Sequence, residues 1–189
     1  MSRTSSKTIK EKRQVKRQRQ HRLWQIGGGL AGVAVLIALG YFVWDVVRPR
    51  PGQGIPWQSR THIQVGDSHE PYNSDPPTSG PHAGPATAGF HSQPLPDENL
   101  VHNLEHGYVV LWYNCKELSE NACNTLKRQI RNVIASGGKK LIAVPRNTLD
   151  TQIALTSWGR LYKLDSFDEE KITTFIQDFR GKAPEGGAP

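Results

Sequence analysis

Sulfur is scarce in this sequence. Met1 is its only methionine, and its two cysteines, Cys115 and Cys123, are eight residues apart with no Cys-x-x-Cys motif. The first scarcity argues against a methionine-rich Cu(I) site, and the second against thioredoxin-type redox chemistry. One cysteine is predicted to end a strand and the other to lie early in a helix, so one short loop could bring them together. We therefore predict a structural disulfide, with a redox-active pair as the alternative.

Most of the chain lacks excess positive charge. The formal net charge is +7, yet residues 1–22 hold nine Lys/Arg against one acid, whereas residues 45–189 hold fifteen Lys/Arg against sixteen Asp/Glu. The main part of the chain thus shows no basic footprint for nucleic acid, and we predict no nucleic-acid partner. The basic tail suits the anionic lipid headgroups of a membrane instead.

Charge is absent altogether from a run of nineteen residues, 26–44. As a helix this run is about 28 Å long, close to the hydrocarbon thickness of a bilayer, and Trp24 and Trp44 mark its ends. The basic residues precede it, which places the N-terminus in the cytoplasm and the remainder outside. A cleaved signal peptide, with a small-residue site at Ala38-Leu39-Gly40, is the alternative. The predicted organisation is a basic cytoplasmic tail at 1–25, a single transmembrane anchor in the cell membrane at 26–47, a linker at 48–56 and an extracytoplasmic globular domain at 57–185.

Apolar side chains are nearly missing from the segment 57–97, which is rich in Pro, Gly, Ser and His. Such a segment is either disordered or a stiff loop held by tertiary contacts. From Tyr108 onward, apolar patterns predict strands and helices in the order β-α-β-β-α. This order predicts a small α+β sheet covered by helices, in a thioredoxin-like layer arrangement with the first two strands parallel. The tail from Pro184 is predicted to fray.

Histidine is absent from the packed half of the sequence, after His106. Outside the basic tail, all six histidines fall between residues 62 and 106. His69 and His91 each stand alone in a loop, and we interpret them as ordinary polar residues. Four imidazoles remain as a candidate ligand set for Cu(II), Zn(II) or Ni(II). They are His62, His82, His102 and His106.

Two of these histidines are predicted to lie on one short helix. His102 and His106 are at positions i and i+4, so they share a helical face, and Glu105 lies beside them. The helix is predicted to begin at an Asp97 N-cap and to stop at Gly107. It would therefore present two imidazoles and a carboxylate together.

The same five residues, 102–106, match His-x-x-Glu-His, the inverted zinc-protease pattern. In that pattern both histidines bind zinc and the glutamate is the general base. Here the helix is short and runs directly into a strand, unlike the long helix of those enzymes. A zinc hydrolase with Glu105 as its catalytic residue is therefore an alternative. Otherwise Glu105 is a metal ligand or a group that orients a histidine.

Three strings of the sequence resemble a known family. They are Thr61-His62, the string Tyr-Asn-Ser-Asp-Pro-Pro-Thr-Ser-Gly-Pro-His that begins at Tyr72, and residues 98–107 leading into Tyr108. Through them, residues 57–185 resemble a bacterial membrane-anchored family catalogued as domain of unknown function 3105. The resemblance implies an anchored extracytoplasmic domain and supplies no activity. The four candidate histidines lie in these strings, as do Tyr72 and Glu105, which we predict to orient them.

The sequence as a whole predicts a single-pass membrane protein whose outer domain binds a divalent metal, copper or zinc. Nothing in it demonstrates an enzyme. A non-metal interaction or assembly module for a membrane partner is the main alternative, and the zinc hydrolase is the second.

Overall fold

The computed structural model describes residues 24, 27–30 and 32–187. Apart from Trp24, the predicted basic tail and its contact with lipid headgroups lie outside these residues. The chain divides into two compact units between Pro49 and Arg50.

The first unit contains helix α1, Gly27–Val47. It is 21 residues long and its most apolar stretch is not buried, so the helix is long and apolar enough to cross a membrane. A signal sequence near an N-terminus can meet the same criteria of length and composition. The predicted location of the second unit outside the cytoplasm therefore stays a prediction.

The second unit is a six-stranded mixed sheet with three helices, which confirms the predicted α+β class. The sheet order is β1-β6-β5-β3-β4-β2, with β3, β4 and β2 parallel and the remaining pairs antiparallel. The elements are β1 Gln53–Gly54, β2 Gly89–Phe90, α2 Asp97–Glu105, β3 Val109–Tyr113, α3 Glu120–Ser136, β4 Leu141–Pro145, β5 Ile153–Ser157, β6 Arg160–Leu164 and α4 Glu169–Phe179.

The predicted β-α-β-β-α order from β3 to α4 is confirmed, and so is the parallel pairing of its first two strands. The thioredoxin-like arrangement stays a prediction. The strands β1 and β2 are two residues long, too short for an alternating pattern to reveal them. Because β1 pairs with β6, part of the predicted 48–56 linker lies in the sheet.

The sheet is covered on both faces. Along β3, Val109, Leu111 and Tyr113 pack in one core with residues of α3 and α4. The alternate residues, Val110 and Trp112, pack in a second core with residues of α2. This alternation is expected of a strand, whose successive side chains point to opposite faces. It places α2 on the sheet face opposite α3 and α4.

The proline-rich segment is packed. All eight residues from 76 to 83 are buried, although few of them are apolar. The backbone N–H of Gly159 donates to the carbonyl of Thr78 at 3.0 Å, and the N–H of Gln58 donates to Ser79 Oγ at 3.0 Å. Tertiary hydrogen bonds of this kind satisfy the buried polar groups, so the segment is a stiff loop.

A disulfide joins Cys115 and Cys123 across the loop between β3 and α3. Replacing both cysteines with serine is expected to lower the free energy of unfolding by about 2–3 kcal/mol, because the bond closes a short loop in the unfolded chain. Guanidinium unfolding of oxidised wild type and of the double variant measures this difference. The reduced wild type should match the double variant. Equal stability of all three forms would contradict the expectation.

Candidate metal centre

Helix α2 is fixed against the sheet by its buried apolar residues Leu100, Val101 and Leu104. It ends where Gly107 adopts a φ of +79° and donates its N–H to the carbonyl of Leu104. A Cβ at Gly107 would lie 2.8 Å from the Cα of Gly181, so only glycine fits this turn. The predicted stop at Gly107 is therefore observed.

The predicted N-cap of α2 is wrong. The helix begins at Asp97 itself, the cap position is Pro96, and no side chain caps the helix. The Asp97 carboxylate instead accepts from Arg146 Nη1 at 2.7 and 3.0 Å. Arg146 lies directly after β4, so this ion pair ties the start of α2 to the sheet.

His82 is positioned by the end of the buried proline-rich loop. Its N–H donates to the carbonyl of Thr61 at 3.0 Å, and its carbonyl accepts from the N–H of Ile63 at 2.9 Å. This isolated parallel bridge places His62 beside His82, with ring centres 4.5 Å apart.

Tyr72 contacts the backbone of the loop just before His82. Its hydroxyl donates to the carbonyl of Pro81 at 2.7 Å, one residue before His82. A Cβ at Gly80 would lie 2.8 Å from the Tyr72 ring, so the ring packs directly on the backbone. Burial raises the pKa of Tyr72, which keeps the hydroxyl a donor.

Three of the four candidate histidines converge. The ring centre of His102 lies 5.2 Å from that of His82 and 5.6 Å from that of His62. One ring nitrogen of each of the three lies within 4.8 Å of the others. His82 is fully buried, His102 is partly buried and His62 is exposed. The group therefore extends from the protein interior at His82 to the surface at His62.

His82 has a defined tautomer. Its Nδ1 lies 2.9 Å from the carbonyl oxygen of Gly80, and because a carbonyl can only accept, Nδ1 carries a proton. Its Nε2 lies 3.0 Å from Oε2 of Glu105, but the two atoms are not aligned for a hydrogen bond. Both atoms are buried, and neither has a hydrogen-bond partner among the residues that the structure describes. Without a proton between them, the lone pairs of these two atoms repel each other at 3.0 Å. A cation bound to both atoms would remove this repulsion.

His102 offers a second buried nitrogen of this kind, since its Nδ1 also lacks a hydrogen-bond partner in the described part of the chain. Burial lowers the pKa of His102, and the neighbouring imidazoles of His106, His82 and His62 lower it further. His102 is therefore a neutral ring at neutral pH, the form that binds metals.

His106 belongs to a neighbouring group. Its Nε2 lies 3.5 Å from Oε2 of Glu185, and Glu105 completes a set whose ligand atoms lie within 4.8 Å of one another. Arg60 pairs with both carboxylates, through Nε with Oε1 of Glu105 and through Nη2 with Oε1 of Glu185 at 2.8 Å. Glu105 thus borders both groups, with Oε2 toward His82 and Oε1 toward Arg60.

The site residues predicted from the sequence did not include Arg60 or Glu185. Arg60 comes directly before the Thr61-His62 string, a position that could have drawn attention to it. No local pattern marks Glu185, which lies in the tail predicted to fray. The tail is instead held by the N–H of Glu185, which donates to the carbonyl of Glu105 at 3.0 Å.

The remaining two histidines lie outside both groups. His69 Nδ1 is within 2.7 Å of the carbonyl of Glu70, and His91 Nε2 is within 2.8 Å of the carbonyl of Thr87. Each ring is satisfied by a nearby backbone oxygen, as ordinary loop histidines are.

The inverted zinc-protease interpretation stays a prediction, and two features of the geometry bear on it. His102 and His106 have ring centres 4.5 Å apart but belong to different ligand groups. Glu105 is fully buried and paired with Arg60 and His82, so it is not placed to activate a water molecule.

The family described as Protein of unknown function (DUF3105) matches residues 62–189. All four candidate histidines and Glu185 lie within the match. No curated protein matches the chain, and no solved structure does.

Proposed function

The chain belongs to the family of proteins of unknown function DUF3105, and we propose that its folded domain binds one divalent transition-metal ion, Cu(II) or Zn(II). The ligands are imidazole nitrogens of His62, His82 and His102. Imidazole nitrogens are ligands that suit these two ions.

The observation that carries this proposal is the state of His82. A histidine that binds a metal through one nitrogen usually donates the other N–H to a carbonyl or carboxylate, which fixes the ring. His82 donates from Nδ1 to Gly80 and leaves a buried Nε2 that makes no hydrogen bond and lies 3.0 Å from Oε2 of Glu105. A buried polar atom without a partner is costly, and a metal ion would satisfy it.

Glu105 is the fourth ligand in this proposal. Ligands about 2.0–2.2 Å from a zinc ion lie roughly 3–3.5 Å from one another. The 3.0 Å separation of His82 Nε2 and Glu105 Oε2 agrees with two neighbouring ligands. His106 was predicted from the sequence to belong to the same set, but in this proposal it belongs to the neighbouring group with Glu105 and Glu185.

We further propose that α1 anchors this domain to a membrane. The N-terminal side of α1 is the basic one, so the tail lies in the cytoplasm beside anionic lipid headgroups and the metal-binding domain lies outside. An exposed His62 would then give ions outside the cell direct access to the site.

The direct test is metal content. The full chain, purified in detergent, is loaded with Cu(II) or Zn(II) and dialysed to low free metal, and bound metal is measured by mass spectrometry. One tightly held ion per chain is expected. A content near zero for both ions would leave His82 and Glu105 as a buried ion pair and would favour the interaction or assembly module.

Affinity is expected to fall at least about tenfold between pH 7 and pH 5. An imidazole must be neutral to bind, and its ordinary pKa is about 6.5, so protons displace the metal as the pH falls. The lowered pKa of His102 lets that ring stay neutral to a lower pH than an ordinary imidazole. Competition with a chromophoric chelator, at constant ionic strength from pH 5 to 8, measures this change. A pH-independent affinity would exclude imidazole ligands.

A further inference from the structure

The second ligand group adjoins the first and differs from it in chemistry. We propose that Glu105, His106 and Glu185 form a second, weaker divalent-cation site, for which the guanidinium of Arg60 competes. This inference rests on the proposed function because Glu105 borders both groups.

The donor set is one imidazole and two carboxylates. Their ligand atoms lie within 4.8 Å of one another, and His106 Nε2 is 3.5 Å from Glu185 Oε2. A mixed nitrogen and oxygen set of this kind suits Zn(II) or Mn(II) better than it suits a soft ion. The first group, with three imidazoles, is the softer of the two.

The backbone holds this second group in place. The N–H of Glu185 donates to the carbonyl of Glu105, which brings the C-terminal segment against the end of α2. Lys140 Nζ donates to the carbonyls of His106 and Gly186, at 2.9 Å each, and so ties the same two segments together. The two segments that carry the three ligands are therefore held together by hydrogen bonds to backbone carbonyls, and these bonds do not depend on an ion.

The buried carboxylate of Glu105 requires a cation. Its side chain is 0% exposed, and a buried charge without a counterion is strongly unfavourable. Arg60 supplies that charge by bridging Glu105 and Glu185, and these two carboxylates raise the pKa of Arg60. The Arg60 side chain is 46% exposed, so it can rotate into solvent when a divalent ion takes its place.

Arg60 thus sets the affinity of the second site. An ion that binds there must displace the guanidinium from both carboxylates, and the positive charge of Lys140 lies close by. Binding at this site is therefore expected to be weaker than at the three-histidine group and to strengthen when Arg60 is removed.

Calorimetric titration of the full chain in detergent with Zn(II) tests this inference. Two ions per chain are expected, one tight and one weaker. The Glu185→Gln variant should weaken only the second ion, by about tenfold or more, since it removes an anionic ligand. The Arg60→Gln variant should strengthen the second ion by about tenfold. Glu169→Gln, which changes an exposed carboxylate of α4, is the matched control and should change neither.

The outcomes separate the two proposals. A single ion that His62→Ala weakens and Glu185→Gln does not would overturn the second site and leave the first standing. No bound Zn(II) at all would overturn both. Two ions with unchanged or weaker second-site binding in Arg60→Gln would overturn the competition by Arg60. Circular dichroism of each variant measures whether the fold is retained. Retention is expected because the side chains of Arg60 and Glu185 are partly exposed.

Discussion

The His82→Ala variant is expected to lose tight Cu(II) or Zn(II) binding, with an affinity lower by roughly two to three orders of magnitude. Zinc binding to structural sites is worth about 10–16 kcal/mol, so each of four ligands accounts for about 2.5–4 kcal/mol. His82 should account for at least its share, because its ring is fixed by Gly80 and buried beside Glu105. Chelator competition with the full chain in detergent measures the loss.

Burial of His82 makes a second variant necessary, since alanine there leaves a cavity and removes a neighbour of the Glu105 carboxylate. His62→Ala avoids this difficulty because His62 is exposed. It is expected to weaken binding by about 10–100-fold, while the thermal midpoint of the metal-free protein stays unchanged.

His91→Ala is the matched control for both variants. The His91 ring binds the carbonyl of Thr87 and lies outside both ligand groups, so its removal should leave metal affinity intact. Equal losses in all three variants would point to a general effect on folding. If the His62→Ala variant and a folded His82→Ala variant both bind metal with wild-type affinity, the three-histidine site is contradicted.

The candidate histidines could be found in the sequence because two local signals marked them. The spacing of His102 and His106 follows from helical geometry, and the proline-rich string before His82 predicts a rigid loop. The grouping of the histidines could not be found in the same way. His62 reaches His82 through a parallel bridge between segments twenty residues apart, and no local pattern specifies that register.

The fold shows the same division between local and tertiary information. From β3 to α4, the helices bury apolar residues at helical spacing and the central strands are short apolar runs, so local sequence patterns predict them. The buried loop from Pro76 to Ala83 has no such pattern, because hydrogen bonds of its backbone and hydroxyl groups hold it. Asp97 is well suited as a helix cap by composition, yet a distant partner, Arg146, binds its carboxylate instead. The tail at Glu185 is likewise held by tertiary contacts.

Arg146→Ala is expected to lower the free energy of unfolding by about 3–4 kcal/mol, because it removes one partner of a partly buried ion pair. The variant is also expected to bind metal more weakly. The Arg146 side chain, 21% exposed, pairs with Asp97 through Nη1 and with Asp75 through Nη2. Its guanidinium also lies over the Trp112 ring, 5.1 Å from the centroid. Removing it leaves the mostly buried Asp97 carboxylate without its counterion, which is the costly way to break such a pair. Guanidinium unfolding followed by tryptophan fluorescence measures the loss.

Lys163→Ala is the matched control because Lys163 also makes two short contacts to one carboxylate, at 2.7 and 2.9 Å from Asp150. That pair is largely exposed, so its loss should cost less than about 1 kcal/mol. Arg146→Lys keeps the charge but cannot bridge two carboxylates with one planar group, and an intermediate loss is expected. Equal free energies of unfolding for the Arg146→Ala and Lys163→Ala variants would show that the Arg146 ion pair stabilises the fold no more than an exposed pair does.

The effect of Arg146 on metal binding follows from what it joins. Asp97 begins the helix that carries His102, and Asp75 directly precedes the buried loop that carries His82. Arg146 fixes both to the end of β4, so its loss should let the two imidazoles separate and should weaken Zn(II) binding by about tenfold. Saturating Zn(II) should in turn restore part of the lost stability, because an ion that binds only the folded state at 100 times its Kd adds about 2.7 kcal/mol. A variant that is destabilised but binds Zn(II) as tightly as wild type would show that the ligands are held by contacts other than Arg146.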